Sequence, residues 1–216
     1  MRTAADDLMA RARIRNAAID LFGREGFGVG LRAIAETAGV SLGLIRHHFG
    51  SKAGLREACD TQILEEIRAA KEEQFLEGDP AANMLRNLAS LEQYAPMMRY
   101  LIQAMREGGP LARQFVERMI ADAEEYTEKA VAEGVIHPSR DPGARARFLT
   151  LAMLGGAVVT AALDEDPEPQ RSMRRWLDQM TLPALELYTQ GLLTDSSMLE
   201  TYMTYMKDPP DGAAGA

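Results

Sequence analysis

The stretch SLGLIRHHFGSK, residues 41–52, sets His47 and His48 side by side between Arg46 and Lys52. Imidazoles with cations close by could bind a metal, move a proton, or meet a polyanion. Neighbours on a helix point about 100° apart, so the two rings cannot grip one ion from a single face. No cysteine or acid stands at ligand spacing from them, and the remaining histidine, His137, is remote in sequence. Neither a metal site nor a catalytic pair is therefore expected, nor any cofactor. A charged partner is.

The charge distribution agrees. The chain has 216 residues and a net charge of −8, which taken whole would repel nucleic acid. Residues 1–60, however, hold nine Lys/Arg against seven Asp/Glu, a balance of +2, and the remainder carries −10. Such asymmetry between the parts of a chain is the clue to a polyanion partner. A lone cysteine, Cys59, excludes an internal disulfide framework and suits a reducing compartment. The start, MRTAADDLMARAR, has no apolar run, and FLTLAMLGGAVVTAAL (148–163) falls short of the roughly 20 residues that span a bilayer. The expected location is cytoplasmic, without a membrane partner.

The elements that must position these residues are helices. Ile14, Ala17, Ala18, Leu21 and Phe22 fall at i, i+3, i+4, i+7 and i+8, one buried stripe. Leu31, Ile34, Ala35 and Ala38 form a second, short stripe ending at Gly39, a residue suited to a left-handed helix end. Ser41 caps a third helix over 42–48, and Ser51 a fourth and longer one with Leu55, Cys59, Ile63 and Ile67 every four residues. Asp79-Pro80 and Asp141-Pro142 pair an N-cap with proline at the first helical position. Pro96 and Pro110 read as further starts, Gly134 as a stop, DEDPEP (164–169) as a loop, and Ser196 as the cap of a last helix to about Lys207. No run of alternating β-branched residues occurs. The fold class is all-α.

Two short helices joined by AGVS, the second capped by serine, form a helix-turn-helix, with Val40 and Ile45 buried where they cross. In that motif the second helix enters the DNA major groove. The segment LRAIAETAGVSLGLIRHHFGSKAGL (31–55) resembles the DNA-binding signature of the TetR family of bacterial transcription regulators, matching at Ile34, Ala35, Ala38, Gly39, Val40, Ser41, Gly43, Ile45, His48, Phe49, Ser51, Lys52 and Leu55. Arg46 stands where the family has tyrosine, and Val29-Gly30 where it has a threonine or serine cap.

The resemblance implies an N-terminal helix-turn-helix domain (1–55) and an effector-binding and dimerisation domain (56–207); the composition of the end, DPPDGAAGA, implies a disordered tail (208–216). The resemblance implies that Arg46, His47, His48 and Lys52 contact phosphates or bases of double-stranded operator DNA, together with Arg32, Ser41 and Leu42, and that Gly43 lets the backbone come close. It implies a homodimer through the last two long helices, in which Leu154, Gly155, Val158, Trp176, Met180, Leu185 and Tyr188 are the interface candidates, with a kink at Pro183. Between these and the DNA-binding helices, Tyr94, Met98, Arg99, Met105, Phe115, Met119 and Tyr126 are candidates for a small-molecule effector pocket, because methionine adapts its shape to apolar ligands. Arg99 and Arg106, seven apart, would meet an acid group of the effector or pair with Glu92 and Glu107. The expected function is a homodimeric transcription regulator, a repressor released by a small hydrophobic molecule. The competing readings are a regulator controlled by a protein partner and a helical enzyme, for which no nucleophile, metal cluster or phosphate loop is recognisable.

Overall fold

The computed structural model describes residues 4–163 and 169–207, so the tail and most of the DEDPEP loop lie outside the described residues. Ten α-helices account for nearly all of the described chain: α1 (Ala4–Glu25), α2 (Leu31–Thr37), α3 (Leu42–Phe49), α4 (Lys52–Leu76), α5 (Pro80–Ala89), α6 (Ala95–Glu107), α7 (Gly109–Ala132), α8 (Pro142–Leu163), α9 (Pro169–Gln190) and α10 (Ser197–Lys207), with a short 3₁₀ helix at Leu91–Tyr94.

Their ends follow the caps. The Ser41 and Ser51 hydroxyls accept from the amides of Leu44 (3.2 Å) and Gly54 (3.0 Å), satisfying two otherwise orphaned donors. Asp79 accepts from Ala81 N and Asp141 from Ala144 N, both at 2.9 Å. Gly30 stands at the N-cap of α2 in extended backbone without a side-chain bond, as a missing hydroxyl dictates. Gly39, at φ +63°, supplies the left-handed turn between α2 and α3. The Ser196 hydroxyl donates to Glu200 Oε1 (2.6 Å) while the Glu200 amide donates back to Ser196 O (2.9 Å), closing the first turn of α10.

The chain divides into two compact units, residues 1–174 and 175–216. The first has one main core. Ile14, Phe22, Ile34, Ile45, Leu55, Cys59 and Ile63 from α1–α4 continue directly into Tyr100, Leu101, Phe115, Met119 and Leu154 from α6–α8. The division drawn at residues 55 and 56 thus falls inside an unbroken α4 and inside this core. α1 packs along α6, α7 lies against α4 and α8, and α5 rests on the C-terminal half of α4. In the second unit, α9 passes through Pro183 without interruption, and Leu187, Tyr188, Tyr202 and Met206 are exposed.

Helix α8 is longer than the apolar run from which it was read. It has 22 residues, an 18-residue stretch of it has a mean hydropathy of 1.7, and by length and composition alone it could cross a membrane. Its packing says what it does here. Ala146, Thr150, Leu154 and Ala157 are buried, and Arg145 and Arg147 reach Glu128 and Glu117 on α7 at 3.0 and 2.8 Å. It is a core helix.

Candidate nucleic-acid interface

The candidate recognition surface is built on α3. Ile45 is fully buried against α1 and α2, which fixes the helix's rotation and turns Ser41, Gly43, Arg46 and His47 outward. Arg32 on α2 is exposed beside them, and Leu42 and Lys52 are partly exposed. Among the described residues Arg32, Arg46, His47 and Lys52 make no ion pair, so their donors remain available to a polyanion. A Cβ on Gly43 would meet only the Ser41 hydroxyl, at 3.8 Å, so this turn of α3 is open to an approaching backbone. Lys52 opens α4 directly after its cap, where the helix dipole disfavours a cation and an incoming phosphate would relieve that penalty.

His48 differs from its neighbour. Its side chain is only 6% exposed, with Nε2 turned to Asp7 Oδ1 on α1 at 3.4 Å. Its ring meets those of His47 and Phe49 edge-on, at centroid distances of 5.3 and 6.0 Å. One histidine faces outward; the other is turned inward towards α1. Arg11 assists from α1, its guanidinium 5.4 Å from the Phe49 ring centroid. Asp7, which sequence reasoning missed, lines an open cleft with Ser41, Gly43, Leu44 and His47. Nothing in the spacing of residues 7 and 48 announces that contact.

The outward face of a serine-capped second helix, carrying unpaired cations and resting on a bundle of three further helices, has the geometry of a major-groove reader. Comparison with known proteins decides the family. Residues 14–59 match the family described as bacterial regulatory proteins, tetR family, and residues 92–194 match a tetracyclin repressor-like C-terminal domain. The chain is 50% identical over 204 residues to the HTH-type transcriptional regulatory protein RaaS of Mycobacterium tuberculosis, covering 94% of this chain and 95% of that protein.

The chain belongs to the TetR family.

Two solved structures share the TetR fold at low identity. A TetR-family transcriptional regulator from Streptomyces coelicolor is 19% identical with a TM-score of 0.58, covering 98% of this chain and 93% of that one. Another from Pectobacterium atrosepticum is 22% identical with a TM-score of 0.55, covering 90% and 99%. The protein is accordingly a DNA-binding transcriptional regulator of the TetR family.

The other expected TetR sites separate into inward and outward residues. Tyr100, Phe115 and Met119 lie in the core, with Met98 and Met105 packed against it and Tyr94 and Tyr126 partly buried. Arg99 donates from its guanidinium to Asp20 on α1 at 2.8 Å, and the expected pairing with Glu92 lies outside the described side chains. Arg106 reaches the Ala161 carbonyl at 3.4 Å, and Glu107 takes Arg56 at 2.6 Å. Leu154 corrects its expectation, being 5% exposed and directed into the chain's own core. It follows Ala146 and Thr150 at intervals of four, the phase that faces α7. The outward phase of α8 is Phe148, Leu151, Gly155 and Val159, with Val158 partly buried between the two. On α9, Met180, Leu185 and Tyr188 are exposed and Trp176 is partly buried.

One further cluster escaped the sequence. The Tyr100 hydroxyl donates to Asp60 Oδ1 at 2.6 Å, and Arg56 lies 3.7 Å over the Phe27 ring while pairing with Glu107. Burial raises the Asp60 carboxyl above its ordinary range, opposed by the Tyr100 bond and by Arg56 and Arg118. These contacts tie α4 to α6 and, through Phe27, to the segment that follows α1.

Proposed function

We propose that the protein is a homodimeric repressor whose hold on operator DNA is released by a small, largely apolar molecule bound among α4–α8. The observation that carries this reading is the course of α4. It begins at the recognition surface with Lys52 and runs unbroken to Leu76, beside the Met- and Tyr-rich helices α6 and α7. A ligand that favours one placement of α4 acts on the recognition helix at its other end.

Dimerisation is supported by α8. Phe148, Leu151 and Val159 are 66%, 48% and 57% exposed, an apolar strip that a lone chain leaves in water. Gly155 in its middle admits close helix approach, and the exposed Met180, Leu185 and Tyr188 of α9 offer further apolar surface. A two-fold dimer places two copies of α3 about 34–36 Å apart, in successive major grooves, and so reads a near-palindrome. The regulator then works in the cytoplasm, where its operator lies. The test is a gel shift with the promoter beside its own gene, with and without compounds that raise the protein's melting temperature. Compounds that stabilise the protein but leave DNA affinity unchanged would rule out the switch while leaving DNA binding intact.

A further inference from the structure

On α4 the inward stripe Ile63, Ile67, Lys71, Phe75 advances four residues at a time, and three of its four members are apolar. Ile63 is buried, and Ile67 packs against the core that holds Phe115 and Met119. One turn past Lys71, Phe75 stacks on Tyr126 of α7 with ring centroids 6.4 Å apart. Lys71, itself partly buried, thus lies one helical turn from each of these contacts on the same face of α4.

No acid answers it. The residues three and four away along the helix are Ile67, Arg68, Gln74 and Phe75, none of them a carboxylate. The neighbouring acids are engaged elsewhere: Glu72 holds Lys129 (2.8 Å), Glu125 holds Arg68, and Glu66 accepts from Gln62 (2.7 Å). Among the described residues Lys71 has no ion pair, and burial pushes its ammonium below the ordinary lysine range. A partly buried cation without a counterion costs stability unless something occupies the place of that counterion.

We infer that the effector is an amphipathic acid: an apolar or aromatic body between α4, α6 and α7, with its anionic group held by the ammonium of Lys71. This rests on the proposed effector site and deepens it by naming the ligand's charge and the residue that reads it. The body would lie along Ile67, Met119 and Tyr126; the carboxylate, sulfonate or phosphate would lie one helical turn from Ile67. Of the other partly buried basic residues here, Arg99 is neutralised by Asp20, Arg56 by Glu107 and Arg68 by Glu125, and Arg118 donates to the Thr61 hydroxyl at 3.4 Å.

The test uses a matched pair of fluorescent probes, 1-anilinonaphthalene-8-sulfonate and N-phenyl-1-naphthylamine, which share one body and differ by the sulfonate. Both are titrated into the full chain as wild type, Lys71→Met and Lys71→Arg. Lys71→Met preserves length and places an apolar group in a mostly apolar stripe, so its melting temperature should equal or exceed that of wild type. The expected result is that Lys71→Met weakens the sulfonate probe about ten- to hundred-fold, the worth of a charge-assisted bond, and leaves the neutral probe unchanged. Lys71→Arg should restore the sulfonate probe. Equal losses for both probes would assign Lys71 a packing role and overturn the inference. Neutral-probe binding together with a sulfonate probe indifferent to Lys71 would also overturn it, while sparing the effector site. Absence of saturable binding by either probe would overturn both.

Discussion

Lys52→Ala puts the recognition surface to a quantitative test. Lys52 lies in the first turn of α4, makes no ion pair among the described residues, and is partly exposed, three residues after the helix that carries Arg46 and His47. If it neutralises one phosphate, its loss removes about 0.9 from the slope of log affinity against log salt, or about 1.8 for a two-fold dimer. At 0.1 M salt the same relation gives about an eight-fold weakening per contact, hence about 60-fold, or about 2.5 kcal/mol, for the dimer. At 0.2 M salt the dimer's loss shrinks to about 18-fold. The loss should be equal for operator and for random DNA, because a phosphate contact carries no sequence information. Stability should move the other way. Removing a cation from a helix N-terminal turn is worth about 0.3–1 kcal/mol to the fold, so the variant should melt slightly higher. The assay is fluorescence anisotropy of labelled duplexes between 50 and 300 mM salt, with a thermal melt of each protein. An unchanged slope would remove Lys52 from the phosphate contacts, and a loss confined to operator DNA would mean that it reads a base.

The remaining expectations concern the interface, the core and two buried groups. Val159→Glu should yield a folded monomer with unchanged helicity and no tight DNA binding, whereas Leu154→Ala, in the core, should cost about 2–5 kcal/mol of stability; sedimentation and urea melts separate the two, and a dimeric Val159→Glu would move the interface off α8. Cys59 is pushed up to about 12 by burial, with Asp60 adding to the effect and Arg15 opposing it, and its Sγ donates to the Arg15 carbonyl at 3.8 Å. Iodoacetamide at pH 8 should therefore leave the folded chain unlabelled and modify it only on unfolding; rapid labelling of native protein would contradict this. Because the Asp60 carboxyl is raised in the folded state, its contribution to stability is full below the ordinary carboxylate range and is lost as pH rises through the folded value. Asp60→Asn, which can still accept from Tyr100, should accordingly gain on wild type between acid and neutral pH. Urea melts at pH 4 and pH 7 that show the same difference would refute the assignment.

Local signals carried much of the fold. Ser41, Ser51, Asp79 and Asp141 each placed a helix start because capping chemistry acts within three residues. Gly39 marked its turn for the same reason. The outward face of α3 was legible too, since Ile45 as the inward residue of α3 fixes which side chains point away. What could not be read were contacts between distant elements. His48 with Asp7, Arg99 with Asp20 and Tyr100 with Asp60 join residues 40 or more apart, and no periodicity encodes them. Leu154 failed for another reason. α8 is apolar on every face, so its sequence holds no phase from which inward and outward could be told apart.

The same geometry bounds what the proposed switch must accomplish. At 1.5 Å per residue, Lys71 lies about 18 Å along α4 from Cys59 and Lys52 about 10 Å from it on the other side. Leu55, Cys59 and Ile63 are fully buried, and Asp60 is bonded to α6, so a tilt of α4 turns about this middle segment. The far end is held differently, by Arg68, Glu72, Asp122, Glu125 and Lys129, a charge network open to solvent and more easily rearranged than close packing. A displacement of about 2 Å at Lys71 then becomes about 1.2 Å, in the opposite sense, at Lys52, by the ratio of those two lengths. In a symmetric dimer both recognition helices shift together, and their separation no longer fits two major grooves fixed by the DNA. The ligand needs to favour that state by only about 1–3 kcal/mol to lower DNA affinity roughly 5- to 150-fold. A counterion for Lys71 that is present in one placement of α4 and absent from the other supplies a difference of that size.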